Sequence, residues 1–155
     1  MGMTTTLYGC IIENGILDIP SQKQIYAHNA EIINSLPVHD NWPPLTRNMF
    51  AITDNIAFSE NDIGPNYAYN GRIIHFGGNF KSIELEWAEW RIKFEELLSK
   101  LLWLEATVHL QTEYAELFTF NWHVNLLEWG LTKENSTQVV PREFWEFESN
   151  TSFGN

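Results

Sequence analysis

The stretch LEATVHLQTEYAELFTFNWHV, residues 104–124, decides the fold, because apolar and polar side chains alternate along both of its halves. Alternation with a period of two is typical of a strand with one face in the core and one in water. The two halves therefore predict an antiparallel hairpin. A turn with an odd number of residues near 112–114 keeps apolar side chains opposite apolar ones. The expected pairs are Val108 with Phe118, Ala106 with Phe120 and Leu104 with Trp122.

This register gathers polar side chains on the other face of the hairpin: Glu105, Thr107, His109, Thr119, Asn121 and His123. Glu105 is expected to face Asn121, with His123 diagonal to it. Glu105, His109 and His123 form a candidate catalytic or ligand site, since a neutral imidazole is both a metal ligand and a base near neutral pH. An ordinary solvated sheet face is the favoured interpretation, because antiparallel sheets often have one. No metal site is therefore expected.

Turn signals upstream predict further hairpins. Asn14-Gly15 lies between the strand-like segments 7–13 and 16–19, and this dipeptide suits a tight hairpin turn. Asn70-Gly71 joins residues 67–69 to 72–76 in the same way, and Gly77-Gly78 offers a further reversal. Two short strands are expected at 48–53 and 56–59, with helix as an equal alternative, and 141–148 is expected to be a strand or a single helical turn.

Two segments have helical spacing. One covers 82–101, with Ser82 as its cap and an apolar stripe of Ile83, Trp87, Trp90, Phe94, Leu97 and Leu101. The other covers 21–35, although Asn29 interrupts its stripe, and a loop is expected at 37–47. The prediction is an α+β fold: a single domain from 5 to 148, with an antiparallel sheet of about five to seven strands and two helices packed on one face. A frayed tail is expected at 149–155.

Composition narrows the function classes. The chain has 20 acidic residues against 9 Lys and Arg, giving a formal net charge of −11. Such a charge repels nucleic acid and anionic membranes, so neither is expected as a partner. There is no secretory signal, no apolar run of the roughly 18 residues that a membrane span needs, and only one cysteine, so a cytoplasmic protein is expected. Phosphate loops, nucleophile elbows and paired zinc ligands are absent from the sequence, and no cofactor is expected.

Several tryptophans lie beside acids in irregular segments, as in a recognition surface for a cationic partner. The candidate partner-binding residues are Asp40, Trp42, Glu128, Trp129, Glu143, Trp145 and Glu146. The alternative is that these rings cap the ends of the sheet. The leading hypothesis is a non-catalytic binding protein that covers a basic partner, as immunity proteins cover nuclease-type toxins. A small enzyme or ligand-binding domain using the polar hairpin face, and a homo-oligomeric structural protein, are the alternatives.

Overall fold

The computed structural model describes residues 4–15, 19–52, 72–114, 116–130, 132 and 134–151. The strands are β1 (Thr4–Glu13), β2 (Phe50–Ile52), β3 (Ile73–Lys81), β4 (Trp103–Thr112), β5 (Leu117–Val124) and β6 (Trp145–Ser149). The helices are α1 (Ile19–Asn34), α2 (Trp87–Leu98) and the four-residue α3 (Leu126–Trp129). Within the described residues, the 6 strands form one antiparallel sheet in the order β2-β3-β1-β4-β5-β6. The predicted α+β class and strand number are confirmed.

The core lies between the apolar face of the sheet and the two long helices. Trp90 and Phe94 of α2 are completely buried, and so is Phe120 of β5. The ring of Trp87 stacks on that of Phe120 with centroids 3.9 Å apart. Ile33 of α1 joins the same cluster, so both helices pack on this face. None of the helices in the described ranges combines the length and apolarity that a membrane crossing requires.

The helix predicted over 82–101 is shorter than expected. A 3-10 turn occupies Ile83–Glu86, and α2 follows it and ends at Leu98. Ser82 precedes the turn with a left-handed φ of 51°, and its side chain makes no capping hydrogen bond. Lys93 of α2 pairs with the loop that follows α1, since its Nζ lies 2.9 Å from Asp40 Oδ2. The loop expected at 37–47 is confirmed up to Thr46, and a 3-10 turn begins at Arg47.

The hairpin of β4 and β5 is confirmed, but its predicted register is wrong by two residues. Val108 pairs with Phe120, and Ala106 pairs with Trp122. The turn is responsible, because the backbone N–H of Thr112 donates to the carbonyl of Glu116 at 2.9 Å, which places the turn one residue later than expected. A shift by two preserves which side chains face the core, so the predicted faces are correct.

The predicted amino-terminal hairpin is also wrong. Ile19 begins α1, and 16–18 lie outside the described residues. The partners of β1 are instead β3 and β4. Asn14 is fully buried, and its Nδ2 donates to the carbonyl of Ser136 at 2.9 Å, so it does not occupy an exposed turn. Pro20 is compatible with the first turn of α1, where a backbone N–H has no helical acceptor.

Gly77 and Gly78 do not reverse the chain, since both lie inside β3. A Cβ atom at Gly77 would lie 2.8 Å from the carbonyl oxygen of Leu7 in β1. The glycine therefore permits a close approach of two strands, which is the other common reason for glycine in a sheet. The Asn70-Gly71 hairpin and the strand expected at 56–59 fall outside the described residues.

Residues 141–148, for which the sequence predicts either a strand or a single helical turn, contain both. A 3-10 turn at Arg142–Phe144 leads directly into β6, which pairs with β5. The strand reaches Ser149, the first residue of the segment expected to be frayed, and the backbone N–H of Asn150 donates to the carbonyl of Thr119 at 3.2 Å. Strand β6 thereby extends the sheet beyond the predicted hairpin and places its own outward side chains beside those of β5.

Candidate functional site

Three neighbouring cross-strand rows, most of whose side chains are polar, lie on the face of the sheet opposite the core. The first row is Ile73, Ile12, Glu105, His123 and Glu146; the second is His75, Cys10, Thr107, Asn121 and Glu148; the third is Gly77, Tyr8, His109 and Thr119. We call these residues the polar face. Strands β1, β4, β5 and β6 carry no Lys or Arg, so no basic side chain of these strands offsets the glutamates of the polar face.

The first row contains a histidine between two carboxylates. Glu105 faces His123 directly, where the sequence had predicted Asn121, as a consequence of the shifted register. His123 Nε2 lies 2.8 Å from Glu146 Oε2, and Asn125 Nδ2 donates to Glu146 Oε1 at 2.8 Å. Because an ionised carboxylate only accepts hydrogen bonds, Nε2 carries the proton in this contact. In the neutral ring, Nδ1 of His123 is then left as an acceptor.

The other two rows are tied together by hydrogen bonds. Thr107 Oγ1 donates to Asn121 Oδ1 at 2.8 Å, and His109 Nδ1 lies 2.9 Å from Thr119 Oγ1. The rings of His109 and Tyr8 lie against each other with centroids 4.9 Å apart. Burial lowers the pKa of His109 below the ordinary value, so its ring is neutral at neutral pH. These contacts hold the side chains of both rows in position.

The three residues of the alternative catalytic or ligand site do not lie close together. Glu105 and His123 are cross-strand neighbours, but His109 lies four residues along β4 from Glu105. At the rise of an extended strand, this separation is about 13 Å. Throughout the described part of the chain, no three His, Cys, Asp or Glu side chains are grouped so that they could hold a metal ion. The chemistry available at the first row is that of one imidazole, oriented by Glu146, with the second carboxylate, Glu105, directly across from it.

Cys10 lies in the second row, between His75 of β3 and Thr107 of β4. Burial raises the pKa of its thiol, and the negative charge of Glu105 raises the pKa further. A raised pKa reduces the thiolate fraction at neutral pH, and the thiolate is the nucleophile. Cys10 is consequently a poor candidate for covalent catalysis.

Asp40 and Trp42 lie in the loop after α1. Hydrogen bonds from the backbone of Leu45 and from Lys93 outweigh the effect of burial and hold the pKa of Asp40 below its ordinary value. This carboxylate fastens the loop to α2. Trp42 is 51% exposed, and its ring centroid lies 6.1 Å from that of Phe80 in β3.

The other two candidate tryptophans are half-buried at the far end of the sheet. The ring of Trp145 meets that of Trp103 edge-on at 5.2 Å, and its Nε1 donates to the carbonyl of Val140 at 3.1 Å. The ring of Trp129 lies 5.2 Å from that of Phe144. These contacts are the ones expected of rings that cap the end of the sheet.

The predicted partner-binding residues are therefore divided between two places. Trp42 lies beside β3, whereas Trp145 and Glu146 lie on β6, and three strands separate β3 from β6. At ordinary strand spacing this is about 19 Å. Glu128 and Glu143 are exposed near the β6 end. Glu146 is the one member of this set that also belongs to the polar face.

Sequence reasoning missed two features of the polar face: Tyr8, and the contact of Glu146 with His123. The signal was present in Trp145-Glu146-Phe147-Glu148, which alternates like a strand. Its neighbour could not be identified from the pattern, because alternation does not say which strand pairs with which. No family model, curated protein or solved structure matches this chain.

Proposed function

We propose that this protein is a non-catalytic binding protein of inhibitor type, which covers a basic partner protein with its polar face. The observation that carries the proposal is the charge of this face: Glu105, Glu146 and Glu148 lie on strands that carry no Lys or Arg. An acidic surface of this kind speeds encounter with a cationic protein and disfavours an anionic one.

The shape and rigidity of the polar face also favour protein binding. It spans five strands, and hydrogen bonds within it hold His123 and His109 in position. Preorganised side chains lose little conformational freedom when a partner binds. Tyr8 is 41% exposed in the third row, and exposed tyrosines are frequent anchors of binding energy in interfaces.

The two alternatives have less support. An enzyme using Glu105, His109 and His123 would need these side chains to converge, and His109 is too far along β4. A homo-oligomer formed by pairing β6 with its own copy would bring Glu146 and Glu148 of two chains together, and like charges on paired strands are destabilising.

A pull-down from the native host with three baits tests the proposal. The first bait is the wild type, and the second combines Glu105→Gln, Glu146→Gln and Glu148→Gln. The third combines Glu31→Gln, Glu89→Gln and Glu96→Gln, which removes the same charge from exposed positions on the two helices. We expect the wild type and the helix variant to recover the same basic protein, and the face variant to lose it.

Kinetic measurements with the recovered protein provide the second criterion. Raising the salt concentration should slow association much more than dissociation, because long-range charge steers the encounter. Equal recovery by all three baits would refute the assignment of the polar face. If no basic protein is recovered by the wild type, the inhibitor hypothesis itself fails.

A further inference from the structure

A small pocket opens beside Glu105 and His123 of the first row, where the start of β4 and the end of β5 meet α3. It has a volume of about 290 Å³ and is lined by Ile12, Leu104, Glu105, His123, Val124 and Leu126. Four of the six lining residues are aliphatic, and one of them, Val124, has its side chain in the hydrophobic core. The two polar ones are the cross-strand pair that the register of β4 and β5 places face to face.

The two polar residues of the pocket have different surroundings. His123 is held by Glu146, and Asn125 holds the other oxygen of that carboxylate, so the imidazole is fixed. Glu105 is exposed, and within the described residues its side chain forms no hydrogen bond or ion pair. Its carboxylate is therefore the group that is free to accept hydrogen bonds from a ligand.

The combination of aliphatic walls and one carboxylate selects a particular kind of ligand. Anions are disfavoured by Glu105, and a purely apolar ligand would leave the carboxylate desolvated without a partner. A cationic head on an aliphatic stem satisfies both parts of the pocket, as arginine and lysine side chains do when their stems lie on apolar surface. The volume is just below the range of about 300 to 1,000 Å³ for drug-sized ligands, so it fits one side chain better than a larger molecule.

We infer that this pocket receives a single arginine or lysine side chain of the basic partner, with the stem against Leu104 and Leu126 and the charged head at Glu105. The inference rests on the proposed function, because it names the group by which the partner is anchored. The pocket can nevertheless be tested without the partner, since capped amino acids carry the same side chains.

The test is an NMR titration of the intact chain with capped amino acids. Nα-acetyl-arginine methylamide and its lysine counterpart are the ligands, and the neutral citrulline and norleucine counterparts are the matched controls. We expect the cationic compounds to shift the resonances of pocket residues such as His123 and Leu126 in a saturable way, and the neutral ones to do so much more weakly. Equal shifts with citrulline and arginine would overturn the inference.

Variants identify the residues responsible. Glu105→Gln should weaken binding of the cationic probes about fivefold, because it removes the ion pair. Leu126→Ala should weaken it about threefold, because it removes part of the apolar wall. Both side chains are exposed, so the fold should survive, and unchanged resonances elsewhere would confirm this. Glu89→Gln, on α2, is the charge-matched control and should have no effect.

The outcomes separate the two proposals. If a basic protein binds the polar face but Glu105→Gln weakens neither it nor the probes, the pocket inference is wrong and the proposed function stands. If the probes bind in a charge-dependent way but the pull-down recovers no basic protein, the pocket is confirmed as a site for basic side chains and the inhibitor function is wrong. If Glu105→Gln loses binding of both the basic protein and the cationic probes, the result supports the pocket inference and the proposed function.

Discussion

The ion pair between Glu13 and Arg72 gives the strongest test of how the scaffold is held together. Glu13 is completely buried at the end of β1. Arg72 Nε lies 2.6 Å from Glu13 Oε1 and Nη2 lies 3.0 Å from Oε2, while Asn29 Nδ2 donates to Oε2 at 2.8 Å. The guanidinium also donates to the carbonyl of Tyr26 at 3.1 Å and lies 4.3 Å from the centre of its ring. One residue thus neutralises a buried charge and connects β1 to α1.

Replacing Arg72 with methionine should cost about 3 to 5 kcal/mol of unfolding free energy, because it leaves Glu13 buried without its cation. The loss is large beside a typical total of about 5 to 15 kcal/mol. It should also depend on pH. Burial already raises the pKa of Glu13, and removing Arg72, whose charge and hydrogen bonds lower it, raises the pKa further.

The sign of the pH dependence follows from linkage. With a raised pKa, the folded variant binds a proton more tightly than the unfolded chain does. The stability deficit of Arg72→Met relative to wild type is therefore smallest in acid, and it grows as the pH rises through the raised pKa of Glu13. Urea unfolding at about pH 5 and about pH 8 should give the larger deficit at pH 8.

Two further variants make the measurement decisive. The double variant Glu13→Gln with Arg72→Met should recover at least about half of the loss, since a neutral pair no longer buries a charge. Arg47→Met is the control, because Arg47 is exposed, and it should change stability by no more than about 0.5 kcal/mol. A deficit below about 1 kcal/mol at pH 8, or one that is the same at both pH values, would refute the reasoning.

Three other predictions concern the core, the close strand contact and the thiol. Phe94→Ala should cost about 3 to 5 kcal/mol in urea unfolding, and a loss under about 1 kcal/mol would mean that the helix stripe is misassigned. Gly9 of β1 lies against the backbone of β4, and a Cβ atom at this position would lie 2.0 Å from the carbonyl oxygen of Thr107. Gly9→Ala should therefore lower the free energy of unfolding by about 3 kcal/mol, and an unchanged stability would contradict this backbone contact. Cys10 should react with a disulfide reagent at neutral pH more slowly than free cysteine, and Glu105→Gln should accelerate it about threefold, which stopped-flow absorbance would measure.

Patterns that depend on local periodicity predicted the fold well. The stripe through Trp87, Trp90 and Phe94 and the alternation in 104–124 fixed one helix, one hairpin and the side of the sheet that is buried. Each pattern repeats several times within a short segment, so one unusual residue does not change the result. Asn29 interrupts the apolar stripe of α1, but the helix still forms. The Asn29 side chain donates hydrogen bonds to the carboxylate of Glu13 and the carbonyl of Leu102, so this polar residue is satisfied where it is buried.

Features that depend on distant contacts could not be predicted in this way. Asn14 looks like a turn residue beside Gly15, but its side chain is buried against Ser136, 122 residues away in sequence. Gly77 looks like part of a turn, but it lies within β3 and pairs with Tyr8 of β1. In both cases the residue type permits two structures, and a strand or loop far along the chain decides between them.

The register of β4 and β5 shows why the site was harder to predict than the core. The core requires only that apolar side chains share a face, and every shift by two residues meets that condition. The polar face has no such tolerance, because a shift by two exchanges Asn121 for His123 opposite Glu105. The pocket that joins Glu105 to His123 thus depends on the placement of the turn between Thr112 and Glu116, which the hydrophobic pattern does not determine. A one-residue error in that turn left the fold prediction intact and hid the pair on which the proposed recognition of a basic side chain depends.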